Sequence, residues 1–396
     1  MPANESIPSR NLCARMQAVQ DPVIPIVGEM VRDNPGTISL GQGVVYYGPP
    51  EEVYEGIAAF RPDPENHKYK LVQGIPDLLQ AIEQKLSLEN GIEVKAQDRV
   101  VVTAGGNMGF MNAILAITDP GDEVILPLPY YFNHEMAVTI AGCTPRIVPT
   151  DAVYQLQPDR IRDAITDKTR AVVTISPNNP SGAVYPEEVL RAVNDLCRAR
   201  GIYHISDEAY EYFTYEGARV FSPGSMDGAG EHTISLYSLS KAYGFASWRI
   251  GYMVIPGSLL DAVKKIQDTV LICPPVICQY AAVKAMESGR RYCIEKRAEI
   301  ENNRSTALKG LSNLSSGVTV GPAQGAFYIL LKIDTDQHPV ELVRNLVKQH
   351  KVAVIPGNAF GIDGACCLRV AYGALRRDTA QEGIGRLVAG LEELLV

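Results

Sequence analysis

Short apolar segments alternate with helical segments along the middle of the chain, and this alternation is the strongest constraint on its fold. The segments RVVVTA (99–104), DEVILPLP (122–129) and RAVVTISP (170–177) have the composition of buried strands. Helical patterns separate them, and PEEVLRAVNDLCRARG (186–201) leads into the next strand, YHISD. Strands that alternate with helices of this length form a mainly parallel sheet with helices on both faces. The sequence therefore predicts an α/β fold.

The chain after about residue 256 has a different pattern, which predicts a second, smaller α+β domain. Long helices are expected over 257–288 and 290–312, followed by the strand-like segments GAFYILLKI, VAVIPG and CCLRVAYG. The predicted organisation is an N-terminal arm that belongs to the small domain (1–44), a large domain (45–288) and a small C-terminal domain (289–396).

The charge balance argues against two classes of partner. Lys and Arg number 37 and Asp and Glu 45, which gives a net charge of −8. Nucleic acids and anionic membrane surfaces require basic patches, so we expect neither as a partner. The first residues, MPANESIPSRNL, lack the apolar segment of a secretion signal, and no later segment is apolar enough to span a bilayer. These features predict a cytoplasmic protein.

The cysteines predict no metal site. The eight cysteines form no CxxC pair, and no His-x(3–5)-His motif follows them. We expect reduced thiols that pack as small apolar side chains. A redox role for the adjacent Cys366 and Cys367 stays open.

Glycine, polar and aromatic residues follow the predicted strands of the first block. Each residue alone has an ordinary explanation as a turn, a helix cap or core packing. The carboxyl ends of parallel strands meet at one edge of a sheet, so we expect these residues to lie close together. They are Gly105, Gly106, Asn107, Tyr131, Asn179, Asp207, Tyr210, Ser238, Lys241 and Arg249.

Together these residues suit the chemistry of pyridoxal 5′-phosphate. Lys241 suits its aldehyde, and Asp207 suits a ring nitrogen that must stay protonated. A glycine turn that opens a helix suits its phosphate, because backbone N–H groups and the helix N-terminus both favour an anion. The aromatic and amide side chains suit the flat ring and the phenolic oxygen. We therefore predict this cofactor and no metal.

Three motifs, SLSKAYGFASWRIGY (238–252), NNPSG (178–182) and DEAYEYF (207–213), resemble those of the fold-type I pyridoxal-phosphate aminotransferases of class I/II. The resemblance covers almost the whole chain. It implies an aspartate aminotransferase-like fold and transfer of an amino group from an L-α-amino acid to a 2-oxo acid. A cytoplasmic homodimer is the expected form.

The resemblance also implies a role for each site residue. Lys241 would be the Schiff-base lysine and proton carrier, Asp207 the partner of the ring nitrogen, and Tyr131 the residue stacked on the ring. Asn179 and Tyr210 would hold the phenolic oxygen. The phosphate would be bound by Ser238, Arg249 and the backbone of Gly105, Gly106 and Asn107.

Three further residues are implied by the same resemblance. Arg369, within CCLRVAYG, matches the arginine that binds the substrate α-carboxylate, with help from Gly41 and Asn179. An arginine inside an apolar strand needs an anionic partner, and a guanidinium binds a carboxylate through two hydrogen bonds. Tyr69, within HKYKLVQGIPDLLQAI, matches a tyrosine that reaches the phosphate of the neighbouring subunit.

The substrate is the least constrained part of the prediction. An aspartate-handling branch has lysine where this chain has Asn107, which weakens a dicarboxylate preference. The segments GQGVVYYGPP, PYYFNHEM and YEYFTYEG resemble a branch that acts on aromatic amino acids and methionine, which we take as the leading prediction. Tyr46 and Tyr47 either line such a pocket or pack in an interface.

Other functions remain open at this point. The alternatives within the fold are an aspartate/glutamate-type aminotransferase and a C–S lyase, since the cofactor carries the chemistry and the pocket selects the bond. An effector-binding regulator would need a DNA-binding extension or a basic patch. A nicotinamide-dependent dehydrogenase would depend on an incomplete glycine motif alone. The physiological donor, acceptor and pathway are not predicted.

Overall fold

The computed structural model describes residues 13–312, 314 and 317–395. The prediction that the chain starts without a secretion signal concerns residues 1–12, which also begin the predicted N-terminal arm. These residues lie outside the described residues. Within the described part of the chain, no helix has the length and apolarity needed to cross a membrane.

The described strands form three sheets. They are β1 (Ile38–Ser39), β2 (Val100–Thr103), β3 (Glu123–Pro127), β4 (Thr144–Val148), β5 (Thr169–Ile175), β6 (Tyr203–Asp207), β7 (Thr233–Ser238), β8 (Gly251–Val254), β9 (Val318–Val320), β10 (Tyr328–Ile333), β11 (Val352–Ala353), β12 (Ile355–Pro356) and β13 (Cys366–Ala371).

Helices connect the strands and cover the sheets. They are α1 (Ala14–Ala18), α2 (Val23–Arg32), α3 (Glu52–Phe60), α4 (Pro76–Lys85), α5 (Ala96–Arg99), α6 (Gly106–Ile117), α7 (Phe132–Ile140), α8 (Pro158–Ala164), α9 (Glu187–Arg200), α10 (Leu239–Ala242), α11 (Leu260–Leu271), α12 (Val276–Leu311), α13 (Pro339–His350) and α14 (Arg377–Leu394). A π-helical turn, Leu86–Asn90, extends α4.

The central sheet has seven strands in the order β2-β8-β7-β6-β5-β3-β4. The strands from β7 to β4 pair in parallel, and β8 is antiparallel to both of its neighbours, β2 and β7. β2 and β7 therefore run in the same direction. The carboxyl ends of β2, β3, β5, β6 and β7 lie at one edge of the sheet, where β8 begins. The predicted mainly parallel α/β sheet is confirmed.

Successive strand residues point to opposite sides of the central sheet. Both faces are buried because helices cover each of them. On one face, Val101 and Leu236 pack with Phe110 of α6 and Val263 of α11. On the other face, Val102 and its neighbours pack against α4 and α12. Apolar side chains of α8 and α9 cover the same face further along the sheet. Two helical layers thus fix the strand ends in place.

The smaller sheet is antiparallel and has the order β12-β13-β10-β9. Its central strand β13 pairs with β10 from Cys366 to Ala371 and with β12 through Arg369 and Leu368. Residues 38–39 join this region through the parallel pair of β1 and β11. The predicted smaller α+β unit is confirmed, while the exact boundaries proposed for the arm and the two domains stay predictions.

One helix expected from the sequence is interrupted. The stretch 257–288 was expected to form a single helix, but α11 ends at Leu271 and α12 begins at Val276. Pro274 and Pro275 lie between them, and proline cannot donate the backbone hydrogen bond that a helix interior needs. A break inside α12 at Gly289, whose φ is 66°, agrees with the predicted boundary between the helices 257–288 and 290–312.

Gly251, the first residue of β8, packs closely against backbone atoms at the edge where the parallel strands end. A methyl group at Gly251 would lie 2.7 Å from the carbonyl oxygen of Tyr237 and 3.0 Å from backbone atoms of Gly105 and Gly106. These neighbours are backbone atoms, so they cannot move aside as a flexible side chain can. A side chain at residue 251 would therefore displace the start of α6.

We expect Gly251→Ala to lower the free energy of unfolding by about 1–3 kcal/mol, because it overpacks a backbone contact. The matched control is Gly257→Ala, where the nearest atom to the new methyl group lies 3.9 Å away. Denaturant unfolding of both variants measures the difference. Equal stability of the two variants would contradict the close packing at Gly251.

Candidate active site

The residues predicted from the strand ends converge at one edge of the central sheet. Gly105 follows β2, Tyr131 follows β3, and Asn179 follows β5. Asp207 is the last residue of β6, and Ser238 is the last residue of β7. Lys241 lies three residues after Ser238, in the short helix α10. The parallel pairing therefore brings these side chains to the same edge.

Lys241 is a half-buried amine among groups of opposite and like charge. Burial and the nearby positive charges of Arg249 and Arg369 lower its pKa to about 8, while Asp207 acts in the other direction. Tyr47 donates a hydrogen bond of 2.8 Å to the backbone carbonyl of Lys241. A lysine with this pKa is partly unprotonated near neutral pH, which both attack on a carbonyl and proton abstraction require.

The turn from Gly105 to Asn107 opens the twelve-residue helix α6 next to Arg249. Gly105 has a φ of 83°, and a methyl group there would collide with the Arg249 guanidinium. Arg249 itself has a φ of 55° and donates a 3.0 Å hydrogen bond to the carbonyl of Ala246. Ser238 packs beside Gly106 and caps α10 by accepting from the Ser240 N–H. A helix N-terminus, a hydroxyl and a guanidinium are groups with the chemistry to bind an anion.

Asp207 is held by two neighbours at the end of β6. Its Oδ1 accepts a 3.0 Å hydrogen bond from the backbone N–H of Ala209. Its Oδ2 lies 3.1 Å from Nε2 of His134, a buried side chain of α7. His134 stacks on Phe110 with 3.9 Å between ring centroids. The carboxylate of Asp207 is thus fixed in orientation at the bottom of the site.

His134 was missed by sequence reasoning. It lies one helical turn after Tyr131 in PYYFNHEM, a segment that was interpreted only as a sign of the substrate class. Its edge also contacts the Tyr131 ring, with 5.2 Å between centroids. The only available signal was a histidine in the first turn of a helix that follows a buried strand, and that signal alone is common.

Tyr131 and Asn107 interact on the side of the site near α7. The Tyr131 hydroxyl accepts a 2.8 Å hydrogen bond from Nδ2 of Asn133, and it also bonds to the Asn107 side chain. Burial raises the pKa of Tyr131, so its phenol stays neutral. The amide of Asn107 is therefore engaged with a neutral partner and adds no charge to the site.

Arg369 is a buried cation that has no carboxylate partner among the described residues. It is 2% exposed, and its two terminal nitrogens donate to Oδ1 of Asn179 (2.9 Å) and to the carbonyl of Gly41 (2.7 Å). Its Nε is buried and has no hydrogen-bond partner among the residues that the structure describes. The guanidinium also lies over the rings of Tyr328 (4.5 Å) and Phe360 (5.1 Å). A desolvated guanidinium with a free donor is a receptor for an anion.

Asn179 links Arg369 to a second tyrosine. Its Nδ2 donates a 3.2 Å hydrogen bond to the hydroxyl of Tyr210, which lies 2.8 Å from the hydroxyl of Tyr328. All three side chains are buried. The predicted residues Gly41, Asn179, Tyr210 and Arg369 are therefore part of one hydrogen-bonded network.

Tyr69 is exposed, whereas Tyr47 of the Tyr46–Tyr47 pair is buried. Tyr69 is 77% exposed, which leaves its ring accessible to a second molecule. Tyr47 is core-packed, contacts the rings of Tyr46 and Tyr292, and bonds to the backbone of α10. Tyr47 thus packs within its own chain, and the two predictions made for Tyr46 and Tyr47, a substrate pocket or an interface, stay predictions.

The chain is similar to known proteins along most of its length. The family described as "Aminotransferase class I and II" matches residues 35–387. A probable aspartate/prephenate aminotransferase of Aquifex aeolicus is 36% identical over 367 residues, which are 90% of this chain and 91% of that protein. The aromatic aminotransferase ISS1 of Arabidopsis thaliana is 33% identical over 394 residues, 97% of both chains. A crystal structure of an aromatic aminotransferase from Pyrococcus horikoshii OT3 has a TM-score of 0.86 at 32% identity, with 93% of this chain and 99% of that chain covered.

The lowered pKa of Lys241 predicts how its reactivity depends on pH. In the protein free of any bound aldehyde, the rate of reaction with pyridoxal should rise with pH to a midpoint near 8, because only the unprotonated amine attacks the aldehyde. A free lysine has a pKa of about 10.4. Arg249→Gln removes a positive charge that lowers this pKa, so the midpoint should move to higher pH. Absorbance changes give the rate.

Pyridoxal lacks the phosphate, so the effect of Arg249→Gln on phosphate binding does not enter this measurement. Arg377→Gln, at an exposed residue of α14, is the control and should leave the midpoint unchanged. A midpoint near that of a free lysine, or one unmoved by Arg249→Gln, would contradict the electrostatic account.

Proposed function

The chain belongs to the family of class I and II aminotransferases, and we propose that it uses pyridoxal 5′-phosphate to transfer the amino group of an aromatic or methionine-like L-α-amino acid. That it is a transaminase follows from the family. The cofactor, the site residues, the donor class, the homodimer and the cytoplasmic location are proposals supported by the observations below.

The observation that carries the proposal is the buried Arg369 guanidinium with no carboxylate partner in the described chain. A cation in an apolar strand is costly unless an anion compensates it. Its Nε and terminal nitrogens suit the α-carboxylate that every amino acid and every 2-oxo acid carries. The charge of Arg369 contributes to the lowered pKa of Lys241, which supports a carboxylate site and an amine in the same active site.

The arrangement of the other groups fits pyridoxal 5′-phosphate. When bound, this cofactor supplies an aldehyde that reacts with amines and a ring that accepts electrons from the substrate Cα. The turn at Gly105, with Ser238 and Arg249, suits the phosphate, and a side chain larger than glycine would fill that turn. Asp207, oriented by His134, suits a protonated ring nitrogen. Tyr131 suits the ring face, and Asn179 and Tyr210 suit the phenolic oxygen.

Lys241 has the properties of the group that moves the proton. With a pKa of about 8 it exists in both protonation states near neutral pH, so it can take a proton from Cα and return it at another carbon. With the cofactor bound, Asp207 would keep a positive charge at its ring nitrogen. Arg369 and Asn179 would hold the substrate carboxylate and so orient the substrate in the site.

The neutral Asn107 supports a donor without a second carboxylate. Its side chain bonds to Tyr131, and it supplies no cation for an acidic side chain. One relative is named an aromatic aminotransferase, and another is named a probable aspartate/prephenate aminotransferase. Those names support the aromatic proposal and keep aspartate as the second candidate.

Two further features support a dimer in the cytoplasm. Tyr69 and Leu71 are 77% and 60% exposed on one surface segment. If a second copy binds there, Tyr69 of one copy could reach the phosphate site of the other. The eight cysteines are all free thiols, as is usual in a reducing compartment.

The donor proposal predicts the activity profile of the protein loaded with pyridoxal 5′-phosphate. With 2-oxoglutarate as acceptor, phenylalanine, tyrosine and methionine should each give their 2-oxo acid with a higher kcat/KM than aspartate. Asn107→Lys should raise kcat/KM for aspartate by about ten- to a hundredfold, since one charge-assisted hydrogen bond contributes about 1.5–3 kcal/mol. Product analysis by chromatography measures both.

Gln80→Lys, which adds a charge on the exposed side of α4, is the control and should leave the profile unchanged. Faster turnover of aspartate by the unchanged protein would favour the second candidate. Release of ammonia in place of a transferred amino group would indicate a lyase and contradict the proposal.

A further inference from the structure

Tyr328 contacts both Tyr210 and Arg369, two members of the hydrogen-bonded network described above. The sequence alone indicated no role for it. It is the first residue of β10 and is fully buried. Its hydroxyl lies 2.8 Å from the hydroxyl of Tyr210, and its ring lies under the guanidinium of Arg369 at 4.5 Å. A methyl group at Gly43 would come within 2.8 Å of the same hydroxyl, so the chain segment that includes Gly41 packs closely over it.

The orientation of the Asn179 amide is fixed by Arg369. A guanidinium can only donate, so the atom of Asn179 that faces Nη1 at 2.9 Å must be the carbonyl oxygen. The amide nitrogen then faces Tyr210 and donates to its hydroxyl oxygen at 3.2 Å. Tyr210 is therefore a hydrogen-bond acceptor on the side of Asn179.

The two tyrosine hydroxyls can share only one proton in the bond between them. Burial raises the pKa of Tyr328 to about 12 and that of Tyr210 further, so both phenols are neutral and each has one proton to donate. If Tyr210 donated to Tyr328, the proton of Tyr328 would have no acceptor among the described residues. A buried donor without an acceptor is unfavourable. If Tyr328 donates to Tyr210, the proton left without an acceptor in the described chain is that of Tyr210, and the phenolic oxygen of the proposed cofactor would accept it.

We propose that Tyr328 is a positioning residue that donates its hydroxyl proton to Tyr210 and supports the face of Arg369 with its ring. The inference rests on the proposed function, because the proton of Tyr210 is then available to the phenolic oxygen of pyridoxal 5′-phosphate. Tyr210 accepts from both Asn179 and Tyr328, and accepting hydrogen bonds makes its own O–H a stronger donor. One side chain thereby couples the cofactor side of the site to the carboxylate side.

The coupling should be visible in the pH dependence of the visible absorption band of the Lys241–cofactor adduct. When the adduct nitrogen loses its proton, the neighbouring phenolate loses its compensating positive charge. A hydrogen bond from Tyr210 to that phenolate therefore favours the unprotonated form and lowers the adduct pKa. Loss of the Tyr328 hydroxyl weakens this bond, so the adduct pKa should rise.

The experiment separates the hydroxyl from the ring. Tyr328→Phe keeps the ring under Arg369, so the absorption midpoint should rise by about half a pH unit, the equivalent of part of one hydrogen bond. The kcat for phenylalanine should fall several-fold while its KM changes little. Tyr328→Leu also removes the ring, so KM should rise in addition.

Two further variants show whether Tyr328 acts through Tyr210. In the Tyr210→Phe background, adding Tyr328→Phe should leave the absorption midpoint unchanged, because the donor to the phenolate is already absent. Tyr372→Phe removes the hydroxyl of another fully buried tyrosine and should not move the midpoint. Cofactor content and thermal unfolding are measured for each variant, so that loss of folding is recognised directly.

The outcomes distinguish this inference from the proposed function. An absorption band in the unchanged protein that does not shift in Tyr328→Phe overturns the role of Tyr328 alone. An equal shift in the presence and absence of Tyr210 overturns the route through Tyr210. The absence of any band after addition of pyridoxal 5′-phosphate to the unchanged protein overturns the proposed function itself.

Discussion

The burial of the Arg369 guanidinium is the constraint on which the site depends. Arg369 comes from β13 of the small sheet, and its hydrogen-bond acceptors come from Asn179 after β5 and from Gly41 near β1. Three parts of the chain that are distant in sequence must assemble before this cation has any acceptors. Uncharged acceptors and two aromatic faces only partly replace water around a guanidinium, so the assembled fold retains an affinity for an anion.

The same positive charges that bind anions also set the reactivity of Lys241. Burial lowers the pKa of Lys241, and repulsion from Arg249 and Arg369 lowers it further. A phosphate beside Arg249 and a carboxylate beside Arg369 would partly cancel that repulsion, so ligand binding and amine protonation are coupled. Asp207, held by His134 behind the site, provides the opposing charge. Binding and proton transfer thus share one set of charges.

The sequence predicted the site residues that can be recognised from their place in the chain alone, at the ends of predicted strands. Strand ends identified Asp207, Ser238 and Lys241, and parallel pairing brought them together as expected. His134 and Tyr328 were not predicted, because their roles come from side chains that meet only in three dimensions. A histidine on a helix and a tyrosine opening an apolar strand usually indicate packing. The break between α11 and α12 could have been predicted from two consecutive prolines, but helical periodicity on both sides concealed it.

The central claim is that the strand ends form one site in which Lys241 reacts with the cofactor. Reduction of the loaded protein with borohydride, followed by peptide mass spectrometry, tests it most directly because the bond becomes permanent. We expect a single modified peptide that contains Lys241, and loss of that modification when an amino acid donor is added before reduction. Modification of another lysine, or of none, would contradict the role of Lys241.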